Sequence, residues 1–313
     1  MSEIILHNYP QSPVAEKVRT GFGFKNLTWR SVGIPRIPPK PKLTPLTGGY
    51  RRTPVMQIGA DVYCDSRCIL REIERRFPEP TLFPEGHGGL GYSLSRWIDG
   101  ALFDLGVKLV LSAQVDTLDP DFAADRGRLY LGPDWAEGLR KANAELPHLA
   151  AQMRGQLGWI DTMLSQGTNF LTGDTPGYVD ALAYHVVWFV RGRWAGGPAL
   201  LSEFPALEAW ENRVFDQGHG SVSELDPDEA LAIARESDPT TQEQSDPNDP
   251  QGLKPGMTVS VGPDVDGGEQ DVNGTVQAVS RETIAVNRTD DDLGAMCVHF
   301  PRVGYKVTVA ENS

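Results

Sequence analysis

A serine stands directly before a proline in NYPQSPVAEKVR, residues 8–19, just after the apolar run IIL. Ser12 is a preferred N-cap, because its oxygen can accept an orphan amide proton of a first helical turn. Pro13 suits the first helical position, where its missing N–H costs nothing. A hydroxyl at a helix N-terminus also sits in positive potential, where an anion such as a thiolate is held. Two readings of Ser12 therefore stand: a helix cap alone, or a cap that also holds an anion. A second helix start, CDSRC at 64–68, places Asp65 and Ser66 where a cap is expected. Cys64 and Cys68 have three residues between them, so they do not form a CxxC redox pair. With Cys297 they make an odd, sparse set that fits a reducing cytosol and small core residues better than a disulfide scaffold. The six histidines are scattered without ligand spacing, and no metal is expected.

The elements that would position these residues follow from hydrophobic period. EIILHNY (3–9) is a short strand, SPVAEKVRTGFGF (12–24) an amphipathic helix and LTWRSVGI (27–34) an alternating strand. PRIPPKPKLTPLTGGYRR (35–52) has five prolines, so it is an irregular connection with at most a turn of helix. TPVMQIG and ADVYC (53–64) form a hairpin turning at Gly59-Ala60, and DSRCILREIERRF (65–77) is a helix. The order β-α-β, connector, β-β-α over residues 1–80 describes a mixed sheet of thioredoxin-like architecture. After a proline-rich joint, residues 87–237 are helical: 91–113, 139–167, 176–193, 204–217 and 226–237 carry helical period. DPTTQEQSDPNDPQG (238–252) has no aliphatic or aromatic residue and is expected to be a solvated linker that proteases cut. In 253–313, five β-rich runs separated by Gly and Asp indicate a small β-barrel (SH3-like) module. Its expected core is Val259, Val261, Val276, Ile284, Val286, Val298, Phe300, Val307 and Val309. So small a core gives modest stability, so the module is expected to fold on its own and dock on the helical segment. The chain is thus multidomain: α/β, then all-α, then small β.

Charge is unevenly spread. Residues 1–80 carry 13 Lys and Arg against 7 acids, residues 81–236 carry 11 against 22, and 237–313 carry 5 against 13. A basic first segment suits a small anionic ligand, although a merely solvated basic face fits as well. Nucleic acid is disfavoured, because the acidic remainder offers no extended phosphate-binding face. The most apolar stretch, ALAYHVVWFV (181–190), is half a membrane span and reads as a buried helix. The start MSEIILHNYP lacks a cationic n-region and a long apolar stretch, so no secretory signal is expected.

Over roughly residues 3–235 the chain resembles the glutathione transferase family. YPQSPVAEKVR is similar to the catalytic turn of serine-type members, where a serine at the first helix hydrogen-bonds the glutathione sulfur; the matching position is Ser12. RTPVMQIG resembles the segment with a cis-proline, here Pro54, preceded by the residue whose backbone pairs with the cysteinyl part, here Thr53. CDSRCILREIE resembles the turn that holds the γ-glutamyl group, through Asp65 and Ser66. FPALEAW resembles the opening of a late helix of the all-α domain. The resemblance implies a cytoplasmic homodimeric enzyme of detoxification, with glutathione as co-substrate and a small electrophile as acceptor. It also implies that Tyr9 is the rival hydroxyl, since tyrosine-type members place their catalytic residue near the end of the first strand; otherwise Tyr9 lines the acceptor pocket or packs. Lys40 and Lys42 lie in the connector where members often bind the glycyl carboxylate. Lys42 is the candidate there, beside the plainer reading of a solvated lysine. The chain departs from the pattern at TGGYRRTP and at Gly177, which stands where Ser or Thr usually precedes Asp180. It also departs in the C-terminal β module, which common members lack. That module leaves a second reading open: a binding or scaffold protein with little turnover that uses the module for protein contacts.

Overall fold

A computed structural model describes residues 3–265 and 267–310. The chain begins β1 (Ile5–Asn8), α1 (Pro13–Phe24), β2 (Thr28–Gly33), α2 (Thr44–Thr47), β3 (Val55–Ile58), β4 (Asp61–Cys64) and α3 (Ser66–Arg76). Eight helices follow: α4 (Gly88–Arg96), α5 (Phe103–Ser112), α6 (Pro120–Leu131), α7 (Trp135–Ala144), α8 (Leu146–Leu164), α9 (Tyr178–Arg193), α10 (Gly197–Leu201) and α11 (Pro205–Asp216). The chain closes with β5 (Ser221–Glu224), α12 (Pro227–Arg235), β6 (Thr258–Pro263), β7 (Val272–Val279), β8 (Thr283–Asp290), β9 (Gly294–Pro301) and β10 (Tyr305–Val309). Contacts divide it into two units, residues 1–15, 28–73 and 221–313, and residues 16–27 and 74–220.

The first unit is built on one ten-stranded sheet, in the order β10-β6-β7-β8-β9-β4-β3-β1-β2-β5. β1 runs parallel to β2 and antiparallel to β3, and β3 runs antiparallel to β4. Every residue of β1, β3 and β4 is buried, as strands covered on both faces require. Gly59, with φ +61°, takes the left-handed conformation of the two-residue hairpin turn before Ala60. β6 to β9 form an antiparallel meander, and β10 returns to lie beside β6. These five strands are the β region expected of 253–313, laid out as part of the one sheet.

Three expectations about this half need correction. The module is not a separate body: β9 pairs in parallel with β4, Asp61 opposite Cys297, and continues the first sheet. Its core is not its own either. Val298, Phe300 and Val286 belong to one buried cluster with Leu43, Leu46, Tyr50 and Val62. The reason is that β4 is fully buried and would otherwise present an unpaired apolar edge. Second, 226–237 does not close the helical bundle. It forms α12, whose Ala230 and Ala234 are buried in that same cluster, while Gln57 Nε2 donates to the Ala230 carbonyl at 2.9 Å. Third, 238–252 is no free linker. Gln244 N donates to the Gln277 carbonyl at 3.3 Å and the Gln244 carbonyl accepts from Val279 N at 2.9 Å. Of the nine expected core residues of the module, eight are buried, whereas Val309 near the end of β10 is 38% exposed.

In the second unit, the helix expected over 91–113 is two helices joined by a π-helical turn, Trp97–Leu102. Asp99 in that turn accepts from the buried Lys17 ammonium at 2.6 Å. The helix expected over 139–167 breaks before Leu146, because Pro147 lacks the amide proton a continuous helix needs. α6 was not foreseen, although Asp119-Pro120 opens it with Asp119 Oδ1 accepting from Phe122 N at 2.9 Å. Asp180 supplies the reciprocal half of a capping box, accepting from the amide of the cap residue Gly177. Its carboxylate accepts from Gly177 N at 2.9 Å, Leu171 N at 2.9 Å and Trp210 Nε1 at 2.7 Å. Among the described residues no helix is long and apolar enough to cross a membrane.

Candidate functional site

The register of the sheet gathers the residues singled out in sequence. His7 of β1 pairs with Val55 of β3, which pairs with Cys64 of β4. Ser12, Thr53 and Asp65 each lie just beyond that row, at one end of three adjacent strands. Three segments far apart in sequence thus converge because β3 runs antiparallel to both neighbours.

Ser12 is 2% exposed, and its Oγ accepts from Ala15 N at 3.2 Å, the N-cap geometry expected. The cap uses the oxygen as an acceptor only. Among the described residues no acceptor is placed against the hydroxyl proton. The Tyr9 carbonyl accepts from Ser12 N at 3.1 Å, and the Tyr9 ring packs against the first unit's core. The Thr53-Pro54 peptide bond is cis. Thr53 Oγ1 accepts from the Lys40 ammonium at 2.8 Å, and Lys40 is only 4% exposed. Lys42 stands elsewhere: it is exposed and its ammonium pairs with Asp228 of α12. Lys40, not Lys42, is the lysine beside Thr53.

Asp65 has φ +75°, a conformation that a non-glycine residue seldom adopts and that aspartate tolerates better than most. It aims the carboxylate back over the start of α3, where Oδ1 accepts from Arg67 N at 2.8 Å. Ser66, the first residue of α3, is 5% exposed. A contact without a sequence signal completes this corner: the Tyr305 hydroxyl of β10 shares its one proton between two acceptors, the Tyr50 hydroxyl at 3.2 Å and Asp65 Oδ2 at 3.3 Å. Burial first, and then neighbouring Asp65, hold the Tyr50 phenol well above its usual range; burial, Tyr50 and Asp65 do the same for Tyr305. Both rings therefore stay neutral. Nearby, Arg52 Nε donates to Glu269 Oε1 at 2.8 Å and Oε2 at 2.9 Å. Burial pushes the Cys64 and Cys68 thiols well above their ordinary value, which removes both as nucleophiles and leaves them core residues.

One further cluster was not foreseen. Ligating atoms of Asp61, Cys297 and His299 lie within 4.8 Å of one another. Donors already fill it. Thr241 Oγ1 donates to Asp61 Oδ1 at 2.7 Å and lies 3.1 Å from His299 Nε2, while Thr240 N and Oγ1 donate to Asp61 Oδ2 at 2.8 and 2.6 Å. Burial opposes the charge, but the His299 and Thr240 hydrogen bonds outweigh it and hold the Asp61 carboxyl well below its usual range. Burial and the Asp61 charge push the Cys297 thiol up to about 12. The arrangement fastens the segment after α12 to β4.

A thioredoxin-like sheet with a capped serine, a cis-proline and an Asp-Ser helix start, in a chain whose other unit is all helical, defines a protein of glutathione transferase type. Residues 6–81 match the family model of the glutathione S-transferase N-terminal domain, and residues 134–213 that of the C-terminal domain. A solved GST-like protein from Pseudomonas syringae is 34% identical over 99% of this chain and 100% of its own, with a TM-score of 0.80. The chain belongs to the glutathione S-transferase family. A glutathione transferase from Phanerochaete chrysosporium (18% identity, 69% of this chain and 98% of that one, TM-score 0.55) shares the fold. So does poplar glutathione transferase F1 (14% identity, 76% and 100%, TM-score 0.51). The Pseudomonas match runs through the C-terminal strands, whereas these two cover less of the chain. No curated protein matches the sequence.

Proposed function

We propose that the protein is a cytoplasmic, homodimeric glutathione transferase that joins the glutathione thiolate to a small electrophile, as in detoxification. The observation that carries this reading is Ser12. Its oxygen is occupied by the Ala15 amide while its proton is uncommitted, at a helix N-terminus. A thiol of pKa about 8.5 is mostly protonated at neutral pH, and the thiolate is the nucleophile. A hydroxyl donor and the positive end of α1 both favour the anion, so the thiol proton is lost to solvent. The sulfur then forms the bond to the electrophilic carbon as the leaving group departs or the acceptor's electron pair shifts away.

The remaining residues suit the tripeptide. Thr53, ahead of the cis bond, offers backbone groups to the cysteinyl part. Each oxygen of Asp65 has one protein donor, which leaves lone pairs for the γ-glutamyl ammonium. Ser66 and the start of α3 can donate to the γ-glutamyl carboxylate. Lys40 takes the place beside Thr53 that Lys42 was expected to serve toward the glycyl carboxylate. Three free, buried cysteines among the described residues support a reducing compartment.

The test is Ser12→Ala, with calorimetry for glutathione and turnover against a panel of electrophiles. The lost cap should cost about 0.5–2 kcal/mol of stability. Turnover at saturating glutathione should fall at least about tenfold, and the bound thiol should ionise at higher pH. Equal turnover in variant and wild type would pass the role to Tyr9.

A further inference from the structure

The C-terminal strands reach the proposed glutathione site from two sides. Tyr305 of β10 touches Asp65. The segment before β7 holds the residues ahead of Thr53, through the Arg52–Glu269 fork and through Arg51 NH2 donating to the Gly267 carbonyl at 3.4 Å. The Glu269 side chain is 4% exposed. A buried carboxylate sharing a fork with arginine fixes the backbone on which that arginine sits. Arg67, one residue into α3, likewise donates to the Val303 carbonyl at 2.9 Å.

We propose that Tyr305 is a positioning residue for glutathione, whose hydroxyl fixes the Asp65 carboxylate for the γ-glutamyl ammonium. This rests on the glutathione reading above. Asp65 Oδ1 is tied by Arg67 N and Oδ2 by Tyr305, so the carboxylate is held at both oxygens in one rotation about its Cβ–Cγ bond. The Tyr305 ring itself has little freedom. It packs 5.5 Å from the Phe300 ring and 6.4 Å from the Tyr50 ring, centre to centre, and Phe300 is fully buried. The ring holds the hydroxyl within reach of Asp65 Oδ2 at 3.3 Å and of the Tyr50 hydroxyl at 3.2 Å, and its one proton serves both. The Tyr305 phenol stays neutral, so it brings no charge to compete with the ligand ammonium. Asp65 keeps a free lone pair on each oxygen, and the ammonium meets a carboxylate already turned toward it. A preoriented acceptor binds more tightly than one that must be ordered on binding. This gives the appended strands a part in ligand selection: they tune the site for a peptide with a free γ-glutamyl amine.

Tyr305→Phe deletes the hydroxyl and keeps the ring, so the fold stays. Calorimetry compares glutathione with glutaryl-cysteinyl-glycine, which has the same length and carboxylates but no amine. Because a hydrogen bond to a charged group is removed, glutathione affinity should fall about tenfold. Affinity for the amine-free analogue should stay within about twofold, and so should turnover at saturating glutathione. In an Asp65→Asn background the same change should cost nothing further, since the two act as one unit. Equal weakening of both ligands would reduce Tyr305 to a structural residue and overturn the proposal. Unchanged glutathione affinity overturns it too. Tighter binding would mean that the hydroxyl occupies the ammonium's place, the opposite role. A wild-type protein that binds neither peptide would overturn the glutathione reading along with this one; the other failures leave that reading standing.

Discussion

His7 sits in β1, 1% exposed, five residues before Ser12. Its Nε2 lies 2.8 Å from Gln57 Oε1. The Gln57 amide nitrogen already donates to the Gly59 and Ala230 carbonyls, so its oxygen must accept and His7 Nε2 carries the proton. Burial lowers the His7 pKa from 6.5 to about 4, against a smaller opposing effect of the Gln57 hydrogen bond. The unfolded chain therefore binds a proton at His7 below pH 6.5 that the folded chain refuses until about pH 4. Stability from this group is full above pH 6.5 and is lost as the pH falls, by about 3 kcal/mol at pH 4. His7→Gln keeps a donor and removes the titration. Urea midpoints at pH 7 and pH 5 should fall less on acidification in the variant than in the wild type; parallel losses would show that His7 is not the acid-sensitive group. At this scale the sequence was readable where a residue acts on its own backbone neighbours, as Ser12 and Asp65 do. It was silent on His7, because what neutralises the imidazole is burial in the assembled sheet, which no local pattern around residue 7 announces.

Asp61 shows the same limit for a whole element. DPTTQEQSDPNDPQG reads as solvated because nothing in it is apolar, and hydrophobic patterning sees only apolar anchors. What fixes the segment are two threonine hydroxyls and backbone groups converging on one buried carboxylate. Because the folded-state pKa of Asp61 is depressed, its stabilising effect is present above about pH 4 and is lost as the pH falls below it. Asp61→Ala removes the acceptor shared by the exposed Thr240, the half-buried Thr241 and the buried His299, at a cost of about 1–3 kcal/mol. Limited proteolysis should then cut the variant within 239–244 under conditions where the wild type resists. Rapid cleavage of the wild type there would mean that the segment is loose despite Asp61. α12 carries the same lesson in another form. Its Asp-Pro start and alanines announce a helix, yet nothing local says that Ala230 and Ala234 face the sheet instead of a bundle.

At the scale of the first unit, the order of strands and helices over residues 1–80 was legible because each element has its own period and each turn its own glycine or proline. The parallel ladder between β9 and β4 was not, since parallel neighbours carry no turn between them to mark the pairing. Its consequence is energetic. Phe300 of β9 is fully buried, and its ring lies 5.9 Å from that of Tyr50 in the connector before β3. A module with a separate core would confine damage to itself, whereas a shared core passes it on. Phe300→Ala should cost about 3–5 kcal/mol, and the loss should appear on both sides of the ladder. Native-state hydrogen exchange distinguishes the two cases, because it reads the opening free energy of each strand separately. In the variant, amides of β3 and β4 should lose protection together with those of β8 and β9, and glutathione affinity should fall as the Asp65 corner loosens. If β8 and β9 alone lost protection while β3, β4 and glutathione binding stayed as in the wild type, the two cores would be independent. Continuity of the sheet would then be no more than edge contact.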